Sequence, residues 1–132
     1  MFQSKSILSN STNTLQEVLN VNTASLPIGK YIVKVDYSWN TNCTQHDFES
    51  YLTVNGVAIS TDTSGLIHKE EPKDSAGQWG GTNSLQILNF SREYIVDITT
   101  AGARNIVFSF RSSKDNVMAS IWDLSIKIFR IS

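Results

Sequence analysis

Between Lys30 and Asn40 the chain alternates without a fault. Tyr31, Val33, Val35, Tyr37 and Trp39 fall on one side; Ile32, Lys34, Asp36, Ser38 and Asn40 fall on the other. Side chains repeat every second residue only in an extended strand, whereas a helix would scatter these aromatics around its axis. The run therefore predicts a strand with one face buried under a second layer and one wetter face. Tyr37 and Trp39 are expected in the core, with their polar atoms near the end of the sheet. An aromatic platform for a ligand is the competing use of the same side chains.

The rest of the chain repeats this grammar. Asp47 to Asn55 alternates with Phe48, Ser50, Leu52 and Val54 inward. Asn55-Gly56 is a strong hairpin signal, because a two-residue loop needs positive φ at both positions. Val57 to Thr61 returns antiparallel. Leu26-Pro27-Ile28-Gly29 and Asp62-Thr63-Ser64-Gly65 read as turns. Leu15 to Val21 fits either a helical turn or a strand, and its surroundings favour the strand. Two short strands are expected at Ser84 to Phe90 and Glu93 to Thr99, with a break at Ser91-Arg92. Arg104 to Ser112 follows, with Ile106, Phe108 and Phe110 inward. Val117 to Ile131 is a last strand broken by bulges. Val117, Ala119 and Ile121 share one register there, and Trp122, Leu124 and Ile126 the other. Roughly eight to ten short strands with regular turns predict an all-β, antiparallel β-sandwich, jelly-roll-like and a single domain. Residues 1–20 are expected to form an N-terminal arm or edge strand that serves for attachment, and residues 21–132 the body.

Composition narrows the function classes. With 132 residues, one domain is expected. The net charge of −1 offers no excess of cations to displace counterions from a phosphate backbone, so no nucleic-acid partner is expected. No apolar run approaches membrane-spanning length, so no membrane insertion is expected. The first residues lack an apolar core of signal-peptide length, which points to synthesis in a cytoplasm. Cys43 is the single cysteine, so no internal disulfide forms. His46 lies close enough in sequence to raise a Cys/His pair, but the polar flanks read as a turn and favour an inert thiol.

The densest ionisable run is Gly65-Leu66-Ile67-His68-Lys69-Glu70-Glu71-Pro72-Lys73-Asp74. His68, Glu70 and Asp74 supply donors for a metal, and in a strand His68 and Glu70 point the same way. A third ligand would have to come from His46 or Asp47. Glu70 and Glu71 are adjacent, so they face opposite sides and make a poor pair for glycoside hydrolysis. The favoured reading is an ion-paired corner, in which Lys69, Lys73 and Arg111 neutralise Glu70, Glu71 and Asp74 within one chain or across a subunit boundary. Pro72 bars a central strand at that point. No catalytic residue, cofactor or metal is expected. Trp79, among the glycines of Ser75 to Asn83, reads first as part of a lid folded on its own core, and contact with a ligand or another subunit is the competing reading.

The string from Gly65 to Asp74 resembles a pattern in small β-domains of tailed-bacteriophage virion proteins. There a His followed by Glu-Pro-Lys-Asp lies between an early aromatic strand and a late Arg-Ser-Ser strand end. Tyr37-Ser38-Trp39-Asn40, Asp47-Phe48-Glu49, Phe110-Arg111-Ser112-Ser113 and the closing stretch from Ile121 to Ile131 are similar to the other parts in order. The resemblance implies a non-enzymatic structural protein located in the virion, either an auxiliary or decoration protein on a capsid or a small fibre tip. It also implies a homotrimer contacting other capsid or tail proteins. The alternative it implies is a module that binds a receptor or a host-surface glycan. No shaft or coiled coil precedes the domain, which favours the small capsid- or tail-bound protein over a long fibre.

Overall fold

The computed structural model describes residues 2–4, 8–43, 45–72 and 87–132. Among the described residues there are ten strands and no helix: β1 Phe2–Ser4, β2 Leu8–Asn10, β3 Gln16–Asn22, β4 Gly29–Thr41, β5 Phe48–Val54, β6 Val57–Ala58, β7 Leu66–Glu70, β8 Leu88–Ile98, β9 Asn105–Ser112 and β10 Ala119–Arg130. All pair antiparallel. In one sheet β1 and β2 share the outer edge of β10, followed by β4 and then β8. In the other the order is β3, β9, β5, and the far edge of β5 is shared by β6 and β7. The last strand thus lies between the first and fourth, and the ninth between the third and fifth. This interleaving of two Greek keys is the jelly-roll order, and the expected single-domain β-sandwich is the observed one.

β4 behaves as its alternation requires. Tyr31, Val33, Val35, Tyr37, Trp39 and Thr41 are buried, and the intervening residues are not. Val33, Val35, Tyr37 and Trp39 share one core cluster with Phe48 and Leu52 of β5, Ile106, Phe108 and Phe110 of β9, and Ile121, Leu124 and Ile126 of β10. Full burial of each such side chain is worth about 1.5–3 kcal/mol. The turns also form as their residues demand. Asn55 and Gly56 have φ of 51° and 77°, and Thr53 and Val54 pair directly with Ala58 and Val57. Asp62 closes the second turn, accepting from the Ser64 N–H at 3.1 Å through its side chain and from the Gly65 N–H at 2.9 Å through its carbonyl.

Two expectations change. The break at Ser91-Arg92 is absent: β8 is continuous from Leu88, and Ser91 and Arg92 pair with Asp36 and Val35. An edge strand tolerates polar residues because its free side faces water. In β10 Trp122 does not share a register with Leu124. Trp122 lies opposite Ser38, Asp123 takes a positive φ of 52°, and the ladder resumes at Ser125. The extra residue returns Leu124 and Ile126 to the inner face beside Ile121. Residue 20 lies within β3, an edge strand that pairs along β9. Trp39 is wholly buried in the core, opposite the first residue of β8, and its Nε1 has no hydrogen-bond partner among the described residues.

Candidate functional site

β4 and β5 face each other across the core, and their alternation puts two hydroxyls there: Tyr37 from β4 and Ser50 from β5. β7 pairs with β5 so that His68 lies directly opposite Ser50. The Tyr37 hydroxyl is 2.8 Å from Ser50 Oγ and 2.7 Å from His68 Nδ1. His68 Nε2 is 2.8 Å from Glu70 Oε1. A carboxylate can only accept, so Glu70 fixes the proton on Nε2 and leaves Nδ1 as an acceptor. The directions follow: Ser50 donates to Tyr37, Tyr37 donates to His68, and His68 donates to Glu70. The chain bolts the two sheets together, since Tyr37 belongs to one and the other three to the second.

Aromatic rings enclose the relay. The His68 ring stacks on Phe90 at 4.4 Å and meets Trp39 edge-on at 4.8 Å, and Tyr37 stacks on Phe90 at 4.8 Å. Burial, first among the causes, lowers the pKa of His68 from its ordinary 6.5; the hydrogen bond and charge of Glu70 oppose this and the Arg92 cation adds to it. Burial likewise raises the Tyr37 phenol well above 10.0. His68 is therefore neutral at pH 7, with both nitrogens engaged.

The order of the groups decides what the relay can do. Nucleophilic catalysis needs the hydroxyl at the surface and the carboxylate behind the imidazole. Here the arrangement is inverted. Tyr37 and Ser50 are buried, and Glu70, half-exposed, stands at the mouth. A substrate at the mouth meets the carboxylate, and no activated hydroxyl reaches it. His68 and Glu70 do point the same way, as expected, but they bind each other. No group of three or more metal-ligating side chains lies together among the described residues.

The expected ion-paired corner forms with a different acid. Lys69 and Arg111 converge on Glu49 rather than on Glu70 or Glu71: Arg111 Nε is 2.9 Å and Lys69 Nζ 3.8 Å from its carboxylate. Lys69 also lies 3.9 Å from Asp47. Register explains the change. Glu49 sits directly opposite Lys69 on one neighbour and Arg111 on the other, forming a row across β7, β5 and β9. Glu70, one residue after Lys69, points to the other face of the strand. Glu49 is 5% exposed beneath this row. Burial raises the Asp47 carboxyl from 3.8, with Lys69 pulling the other way. Lys73, Asp74 and Trp79 lie outside the described residues.

Among the described residues no strand pairs between β7 and the outer edge of β8. A cleft of about 970 Å³ is lined by His68, Lys69, Glu70, Arg92, Tyr94 and the loop around Ser64. Arg92 reaches across it from one sheet to the other. Its Nη1 donates to the Ile67 carbonyl at 2.7 Å, and its guanidinium lies 5.0 Å from the Phe90 ring centre. The Tyr94 hydroxyl is buried without a hydrogen-bond partner among the described residues.

Sequence reasoning did not assign Tyr37, Ser50, Arg92 or Glu49 to this site. One signal was present: Ser50 is polar on the inward face of an alternating strand, and such a residue needs a buried partner. Arg92 and Glu49 carried none, because their roles depend on which strands become neighbours. No protein-family model, curated protein sequence or solved structure matches this chain.

Proposed function

We propose that the chain is a non-enzymatic structural protein of a phage virion, an auxiliary or decoration protein on a capsid or a small fibre tip, whose N-terminal arm attaches it. The motif resemblance supports this reading, and one observation carries the attachment: β1 and β2 are each three residues long and, among the described residues, pair with β10 alone, at the outer edge of one sheet. So short a pairing is weak by itself, and an arm of this kind exchanges readily with an equivalent edge on another protein. Its inner limit is Asn10, which is buried and donates to Thr14 O at 2.8 Å and Phe110 O at 3.1 Å. The body works as a homotrimer bound to capsid or tail proteins, in the virion. The inverted relay fits a role without chemistry. Deleting residues 1–8, which spares Asn10, is expected to abolish incorporation into particles while the body keeps its unfolding transition. Unchanged incorporation would sink the proposal.

The open cleft favours a second reading, a module that binds a host-surface glycan. Arg92 and Glu70 are both held in place there, and the lining mixes charges of both signs with hydroxyls, which suits a neutral polyhydroxylated ligand. Arg92→Ala and Trp79→Ala are expected to lower retention on a glycan array under this reading, and retention equal to wild type for both would exclude it.

A further inference from the structure

We propose that β7 is an acid-released latch: protonation of His68 unfastens Leu66–Glu70 from the sandwich while the remaining strands stay paired. Among the described residues β7 is an edge strand of five residues whose one ladder is with β5. That ladder is interrupted by a register shift between Ser50 and Tyr51. Its attachment to the other sheet rests on side chains: Ile67 buried in the core, the His68 relay to Tyr37 and the Arg92 bond to the Ile67 carbonyl.

A proton on Nδ1 reverses the relay. Nδ1–H becomes a donor, so Tyr37 must accept from it and turn its own hydrogen to Ser50. Ser50 then has to turn its hydrogen away from Tyr37, and it has no other side-chain hydrogen bond among the described residues. The new cation is buried among Phe90, Trp39 and Phe48. Among the described residues the titratable groups facing it are Tyr37 from β4, Glu70 from β7 itself, and Arg92 and Tyr94 from β8. β5 presents Ser50 and Phe48, and Glu49 points to the opposite face. Among the described residues Glu70 alone stabilises the cation, and it is half-exposed, while Arg92 repels it. Opening β7 relieves all of this, because His68 then takes up its proton in water.

The sign is fixed by linkage. The folded group binds its proton less readily than the open one, so closure is complete above about pH 6.5 and is lost as pH falls. One proton gives at most about a tenfold rise in the opening constant per pH unit.

Hydrogen exchange read by mass spectrometry tests the latch, with rates corrected for the intrinsic effect of pH. Between about pH 7.5 and 5.5, peptides within residues 65–71 are expected to lose about tenfold in protection while β4 and β10 peptides hold theirs. The range stops there because Asp47, raised by burial, contributes with the opposite sign as it titrates at lower pH. In His68→Asn the β7 protection is expected to lose its pH dependence. If that variant does not fold, the imidazole ¹⁵N shifts of the wild type decide: a proton on Nε2 at neutral pH and a midpoint below 6.5 support the latch. It is overturned if β7 protection does not change with pH, if all strands lose protection together, or if His68 titrates at its ordinary value with β7 closed.

Discussion

Glu49 and Gly65 show how single residues are held in place by the register of neighbouring strands. Glu49 is buried on the outer face of its sheet only because Arg111 and Lys69 cover it from both sides. Removing one partner of such a group leaves a charge with too little compensation. Arg111→Met is expected to cost about 2–3 kcal/mol in chemical denaturation, less than a fully buried pair because Arg111 is partly exposed. The Arg111→Met/Glu49→Gln double variant should recover at least half of that; no recovery would show that Arg111 acts through packing alone. Gly65 has φ of 75°, and a Cβ there would lie 2.6 Å from Cε2 of Tyr51. Gly65→Ala is expected to cost about 1–3 kcal/mol, since the left-handed backbone penalises any side chain and the ring must also move. In a Tyr51→Ala background the cost should fall toward the backbone part, about 1 kcal/mol. Gly65 could be read as a turn from its neighbours. Glu49 could not be read as buried, since nothing local distinguishes it from any outward-facing acid.

At the level of elements, the strands that alternate strictly were legible, and those that depend on their neighbours were not. β4 and β5 carry their inward faces in their own residues. β8 does not: Ser91-Arg92 looks like an interruption until β4 is placed beside it and the other edge is left to water. β10 was legible as bulged, because its apolar residues change parity, but the position of the bulge was not. The structure puts it at Asp123, whose φ of 52° suits Gly or Asn and penalises branched residues. Asp123→Val is expected to lower stability by about 1–2 kcal/mol, and Asp123→Gly to stay within about 0.5 kcal/mol of wild type. Thermal melts of the two variants check this. Equal melting temperatures would mean that the bulge relocates, and with it the register that returns Leu124 to the core.

The whole molecule presents a surface that its own chain leaves open. On the outer face of the β10–β4–β8 sheet, Phe129, Ile32 and Ile95 lie side by side in register. Ile95 is 66% and Phe129 43% exposed, and Ile28 and Ile131 are also exposed beyond the end of the row. Scattered apolar residues are ordinary on a surface, but a row aligned across three strands forms a continuous patch. This arrangement was not legible in the sequence, because Ile95 and Phe129 become neighbours of Ile32 only through pairings between distant segments. If the homotrimer forms, this row is the surface it covers, since burying it removes apolar area without disturbing a hydrogen bond. Sedimentation equilibrium of the wild type is then expected to give three times the mass of one chain. Ile95→Asp, which places a carboxylate beside Ile32 and between Glu93 and Asp97, should give the single-chain mass of 14.7 kDa. Its monomer should remain folded, because Ile95 contributes nothing to the inner face of the sheet. A trimer that survives Ile95→Asp would place the subunit contact elsewhere. If the wild type sediments as a monomer, the proposed virion role predicts that the row contacts another particle protein, and the particle-incorporation assay would then show a loss caused by the same substitution.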